Sequence, residues 1–451
     1  MSSAAGNSTS AGVVIDRDEA KVARTTMRRV SRRLLPFVFA LFVCNIIDRT
    51  NIAIAALQMN RDLRFSATAY GLGAGIFFVG YVLFEVPSNL ILARVGARRW
   101  IARIMVSWGL VASAMMLVST PLQFYVLRFL LGVAEAGFFP GIVYYLSLWF
   151  PSRRRGVALA RFMIAMPIAG AIGTPLGAWL LGLDATLGLR GWQWLFLLEG
   201  IPSVVLGIVT WVVLTDRPED ARWLSGDQRD WLVAHLRLDS RESAAPRDTP
   251  ALGAFTSPLV WLLSVPHFLM AVPLYAYTFW APLMIRDALH TSAVATGLIV
   301  GLIACLSATS MLLAGASSDH REERCLHAAV GATLAALGCA AVALSGSAPV
   351  QVAGLALVEI GVRIYNAPFW CIPPMLLRGS AAAAGIALVN AIANVGGIVG
   401  PFAIGWVKDA TGTASGAFLM VGAMALAAAT VLSLVLPRRT SVAWHAVRAA
   451  Q

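Results

Sequence analysis

The sequence predicts an all-α membrane protein, with twelve transmembrane helices in two pseudo-symmetric six-helix halves. Three observations carry that expectation. Of the 451 residues, 58% are hydrophobic and 13% charged, against roughly 25% charged in an average soluble domain, and the mean hydropathy is +0.74. Apolar runs long enough to cross a bilayer, about 20 residues each, fill the chain and leave one long polar segment between the sixth and seventh. Finally, the second half echoes the first. Gly170, Gly173 and Trp179 recur as Gly397, Gly400 and Trp406, about 227 residues further on, and GVAL at 156–159 recurs as GIAL at 385–388, about 229 further on. The loop after the second run also recurs after the eighth, at a similar offset.

Taken in order, residues 1–33 read as a polar cytoplasmic tail, without order to about residue 26 and ending in MRRVSRR. No small-residue cleavage site follows a short apolar core, so the tail does not resemble a secretory signal. Span 1 is expected over 34–57 and contains NIIDRTNIA. Span 2, over 70–93, contains GLGAGIFFVGY, where small residues let helices approach closely; its GxG spacing opens no helix after a strand and is no nucleotide loop. RVGARR separates it from span 3 (101–119), and span 4 follows over 122–149. PSRRR precedes span 5 (157–182), where Arg161 is close enough to the helix end to snorkel. Span 6 covers 192–214.

Residues 215–258 are dense in Pro and charge and form a cytoplasmic linker between the halves, with a short amphipathic helix in DQRDWLVAHL. Spans 7 to 12 are expected at 259–285, 293–317, 326–346, 349–376, 381–407 and 413–437, with a tail at 438–451. The basic clusters RVGARR, PSRRR, DHREER and LPRRT fall on one side of this pattern, and the loops after spans 3 and 9 carry none. The positive-inside rule then places both termini in the cytoplasm.

Several function classes are excluded. The net charge of +12 resides in these short boundary clusters, so no basic face follows a phosphate backbone and nucleic acid is not a partner. Five scattered cysteines form neither a disulfide framework nor a CxxC metal site. No GxxxxGK[ST] occurs and Lys21 and Lys408 are the only lysines, which argues against ATP-driven transport; six histidines show no ligand spacing. No cofactor and no enzymatic reaction are expected.

Charges at bilayer depth cost a few kcal/mol each on insertion scales, so they face partners or water-filled cavities. Asp48 and Arg49 in span 1, Arg128 and Glu135 in span 4, and Glu359 and Arg363 in span 10 stand out. Arg128 and Glu135 are two turns apart on one stripe. Asp48 and Arg49 diverge by about 100°, so each reaches a different neighbour, and cross-pairing between spans 1 and 4 is the simplest expectation. Two readings follow: a static ion-pair network, which would stabilise little, or a proton and anion site. In the second, an anion arriving at an arginine releases a carboxylate to take up a proton. Glu359 and Arg363, at i, i+4 spacing, either pair locally or take part in gating.

The stretches IIDRTNIAIAALQMNRDL, YVLFEVPSNLILARVGARRW, RFLLGVAEAGFFPGIVYYLSLWFP, GWQWLFLLEGIPS, NAPFWCIPP and GIALVNAIANVGGIVGPFAIGWVKD resemble the major facilitator superfamily, and within it the anion:cation symporter family. VGARRWIA, FMIAMPIA and GWQWLFLLEG look most like its 4-hydroxyphenylacetate permease branch. The resemblance implies that Asp48 and Glu135 couple protons, that Arg49 and Arg128 hold a substrate carboxylate, and that Tyr81, Trp370 and Asn390 complete the cavity. It also implies a charge lock after span 2, but Ala93 stands where the family has Asp; the second copy keeps it as Asp319. Sugar-acid carriers of the family have Tyr where Ile46 stands and Gln where Met166 stands. Losing both removes partners for substrate hydroxyls and favours an aromatic monocarboxylate.

The expectation is therefore a proton-coupled importer of a small organic anion, functional as a monomer in the lipid bilayer. A tartrate-like or sugar-acid symporter is the alternative, followed by a non-transporting sensor and an exporter.

Overall fold

The computed structural model describes residues 17–242, 253–377 and 380–436. Among these, twelve helices are long and apolar enough to cross a bilayer. Those of the first half are Lys21–Asp62, Ala67–Val95, Ala97–Leu117, Pro121–Ser147, Arg154–Leu183 and Gly191–Val213; those of the second are Pro258–Leu289, Ala293–His320, Cys325–Leu344, Ala348–Leu376, Ala384–Thr411 and Ser415–Val435. They are spans 1 to 12. An even number of crossings returns the chain to the side where it began. We call that the terminal side, and the opposite face the distal side.

The expected N-terminal tail is corrected in part. Arg17–Asp62 is one helix of 46 residues, because Thr26, Met27, Val30 and Leu34 recur at helical spacing and are buried, and the helix packs against the linker. The guanidinium of Arg33 lies 5.0 Å over the ring of Trp223, and Glu19 is 3.8 Å from His235. The linker helix spans Gly226–Glu242, longer than DQRDWLVAHL. The remainder of the expected tails, at 1–16 and 438–451, and linker residues 243–252 lie outside the described residues.

Span 4, expected as one helix, is two: Pro121–Glu135 and Phe138–Ser147. Gly137 takes φ +85°, a left-handed conformation open to glycine and costly to residues with a side chain. A Cβ there would press on Ser88. The break follows Glu135 directly. Span 10 breaks likewise between Phe369 and Ile372, at Trp370, where Pro368, Pro373 and Pro374 withhold backbone donors. The two halves thus interrupt equivalent helices beside expected site residues.

The lock that Ala93 leaves open after span 2 is supplied from elsewhere. Asp216, just beyond span 6, accepts from the backbone N–H of Arg98 at 2.8 Å and approaches its guanidinium at 4.0 Å, beside Gly96 with φ +99°. In the second half Asp319 pairs with Arg324 at the start of span 9. Asp216→Ala is expected to lower stability by about 1–2 kcal/mol, read as an earlier thermal unfolding transition in detergent.

Hydrogen bonds between the halves cluster at the distal end. Asp409, in the last turn of span 11, accepts from the N–H groups of Ala67 at 3.1 Å and Thr68 at 2.7 Å, the exposed donors at the start of span 2. Tyr70 donates to the carbonyl of Phe279 at 2.7 Å, and Arg286 donates to the carbonyl of Leu57. Gly71 abuts Pro401, Gly75 abuts Ile398, Gly405 abuts Ala67, and Gly297 and Gly301 abut span 5 at Thr174 and Ala171. Small residues at these positions bring the backbones together. Among the described residues these contacts between the halves are therefore concentrated on the distal side.

Candidate functional site

The centre of the site hangs on span 1. Arg49 Nε donates to Glu135 Oε1 at 2.8 Å, and Nη2 reaches the same oxygen. The Glu135 side chain is 1% exposed and that of Arg49 18%, so the guanidinium is the member of the pair that faces the space between the halves. This is the expected cross-pairing of spans 1 and 4.

The expected second pair, Asp48 with Arg128, does not form. Asp48 is 2% exposed and turns to the far side of span 1, where its Oδ2 accepts from Trp108 Nε1 at 2.8 Å and from the Ser203 hydroxyl. Arg128, also buried, donates to the carbonyls of Gly73 at 3.1 Å and Ala74 at 3.3 Å in span 2. The roughly 100° between neighbouring helix positions is the reason, since a helix that aims Arg49 at span 4 must aim Asp48 at spans 3 and 6.

Aromatic rings surround the Arg49–Glu135 pair. The guanidinium carbon of Arg49 lies 4.8 Å from the ring centre of Tyr81 and 5.3 Å from that of Phe77, and Arg128 lies 5.0 Å from Phe77, within cation–π range. From the other half, Tyr275 packs 4.4 Å from Phe78 and donates to Asn394 Oδ1 at 3.1 Å. Tyr275 lies within electrostatic reach of both Arg49 and Arg363, so guanidinium groups from both halves act on one region. Arg363 Nε donates to Glu359 Oε1 at 2.7 Å, the local pair that the spacing predicts. Trp370 meets His267 edge-on at 4.7 Å; His267 stacks on Phe369 at 4.6 Å and lies 3.0 Å from the Tyr365 hydroxyl. Asn390 is half-buried one turn before Asn394. Asp319 stays apart, in its terminal-side lock. Ile46 and Met166 are both half-buried.

Sequence reasoning missed Trp108, Ser203, Tyr275 and Asn394. Uncharged residues inside apolar runs give no signal of their own. Glu199 did carry one, an acid within span 6, and it too is buried beside Asp48.

Chemically, the arrangement offers an anion a guanidinium already compensated by a buried carboxylate, with aromatic walls on both sides. A model of the Major Facilitator Superfamily matches residues 38–383. The chain is 44% identical to a putative tartrate transporter of Agrobacterium vitis, over 95% of this chain and 94% of that one. It is 43% identical to the putative metabolite transport protein NicT of Pseudomonas putida, over 90% and 93%. Among solved structures, a D-xylose-proton symporter superposes with a TM-score of 0.70 at 14% identity, over 90% of this chain and 97% of that one. A bacterial homologue of the human lysosomal transporter Spinster does so with a TM-score of 0.70 at 16% identity, over 89% and 95%.

Proposed function

The chain belongs to the major facilitator superfamily and is a transporter, not an enzyme, and from that premise we propose that it is a proton-coupled symporter importing a small organic anion across a bacterial inner membrane. The observation that carries this reading is the Arg49–Glu135 pair, with its cation toward the cavity and its carboxylate behind it. An anion that takes the guanidinium leaves Glu135 buried without its partner, a state costing several kcal/mol unless it accepts a proton. Anion and proton therefore bind together. Coupling also answers the membrane potential, which opposes each entering negative charge by about 2.3 kcal/mol per 100 mV.

Alternating access follows from the two-half architecture. With the contacts between the halves concentrated distally, and the terminal side placed in the cytoplasm by the basic clusters, the molecule fits the form that releases substrate inward. Asp48, buried away from Arg49, takes up or releases its proton as the halves move. Arg128 fixes span 4 against span 2, and Tyr81, Trp370 and Asn390 bound the space around the anion.

For the substrate we favour an aromatic monocarboxylate of the hydroxyphenylacetate kind. The rings of Tyr81, Tyr275 and Trp370 suit an aromatic substrate, while Ile46 and Met166 offer nothing to substrate hydroxyls. A second reading, a tartrate-like dicarboxylate, is favoured by the joint reach of Arg49 and Arg363 to Tyr275 and by the name of the Agrobacterium relatives.

Uptake into proteoliposomes under an inward proton gradient, with 4-hydroxyphenylacetate and L-tartrate as competing solutes, separates the two. The aryl acid is expected to compete at least tenfold better. The reverse order overturns the substrate assignment, and uptake indifferent to the gradient overturns symport. Asp48→Asn is expected to abolish gradient-driven accumulation in the same assay.

A further inference from the structure

We propose that Glu199 is a proton-holding group of the transport cycle, and that it shares one proton with Asp48 inside the first half. The inference rests on the symport reading only for the claim that this proton moves with substrate.

Glu199 lies in the middle of span 6, one turn from Ser203, which donates to Asp48. It is 6% exposed, and among the described residues neither of its enclosed carboxyl oxygens meets a donor in full hydrogen-bond geometry. Span 1 presents to it Cys44, Asp48 and Asn51. Span 5 presents Gly177, and span 3, packed on span 6 through Gly109 and Ser113 against Gly200, carries Trp108 to Asp48. Among the described residues none of these elements brings a cation, and the charged group acting on Glu199 is another carboxylate, Asp48. The Asn51 amide is the one donor that acts on it, and it stands short of full hydrogen-bond geometry.

An ionised carboxylate buried without a cation or donor costs several kcal/mol, and two such charges side by side repel. The nearest guanidinium groups are engaged elsewhere: Arg49 pairs with Glu135 and lies within reach of Glu85, further toward the terminal side, and Arg128 donates to the carbonyls of span 2. Asp48 accepts from Trp108 and Ser203 and so can hold one negative charge, which leaves the proton of the pair to Glu199.

The groups around the pair can serve either distribution. When Asp48 is charged, Trp108 and Ser203 donate to it and the proton stays on Glu199. When Asp48 takes the proton, the Asn51 amide beside Glu199 can close to a full hydrogen bond with it. Such a pair titrates as a unit, each site shifting the other.

Infrared difference spectroscopy of the purified full-length protein, titrated with pH and without substrate, tests this. Subtracting Glu199→Gln from the parent protein is expected to isolate the C=O stretch of a protonated carboxyl at neutral pH. That band should vanish on raising the pH. In Asp48→Asn it should vanish about one pH unit or more lower, because a neighbouring negative charge is gone. A difference spectrum without the band overturns the proposal, as does a band indifferent to pH or to Asp48→Asn. Should Glu199→Gln not fold, the displacement of the band between the parent and Asp48→Asn decides between the same outcomes. Since no substrate is present, the result is separate from the flux assay: proton-independent uptake would sink symport and leave the shared proton to stand or fall on the spectra.

Discussion

Glu135→Gln is expected to abolish concentrative uptake driven by a proton gradient while leaving counterflow exchange in place. In the parent protein the substrate anion and Glu135 compete for Arg49, so anion binding is complete only when Glu135 accepts a proton. Linkage then makes affinity rise as pH falls, by up to about tenfold per pH unit for one proton. Gln keeps the shape and can still accept from Arg49, but it can neither ionise nor carry a proton. Binding by the variant should therefore lose the pH dependence that Glu135 supplies, and be tighter than the parent's at alkaline pH, because Arg49 is no longer held by a charge. Removing one partner of a buried pair also costs about 3–5 kcal/mol where nothing replaces it, and the amide should recover part of that. Isothermal titration across pH and paired uptake and counterflow assays in proteoliposomes provide the measurements. A variant that accumulates substrate as the parent does would remove Glu135 from the coupling role.

The second large effect is mechanical. Gly71→Leu is expected to hold the molecule open on its distal face and to reduce transport by tenfold or more. Gly71 lies where spans 2 and 11 meet, and any Cβ there would overlap the carbonyl of Pro401. A leucine has no room to relax, because the contacting atoms belong to helix backbone. Overpacking of this kind costs about 1–3 kcal/mol or more, enough to reverse an equilibrium between states that differ by a few kcal/mol. Spin labels on the distal ends of the two halves should report a longer distance than in the parent, with the fold retained. Unchanged distances and normal flux would mean that the distal contact is not the gate.

Much of the architecture was legible because hydropathy is local. Each span, the even crossing count and the duplicated glycines could be read along the chain. The acids and arginines of the site stood out for the same reason, being costly wherever a helix places them in hydrocarbon. Helix breaks were less legible. Gly137 interrupts span 4 by a positive φ that one glycine among 39 does not announce. The tail was misread because residues 17–33 are polar, while the buried stripe of Met27, Val30 and Leu34 gains meaning only once the linker packs alongside, through Trp223 and His235.

By itself the sequence determined the number of spans, their two-half grouping and the presence of titratable charges in spans 1, 4 and 10. Tertiary structure decided which charges meet. A helix rotates as a rigid body, so the packing that turns Arg49 to Glu135 sends Asp48 to Trp108, Ser203 and the neighbourhood of Glu199, and leaves Arg128 to the carbonyls of span 2. It also decided that Asp216 stands in for the acid absent at position 93, and that contacts between the two halves concentrate on the distal side. Rotation and closure depend on contacts between residues far apart in the chain, which no local pattern records.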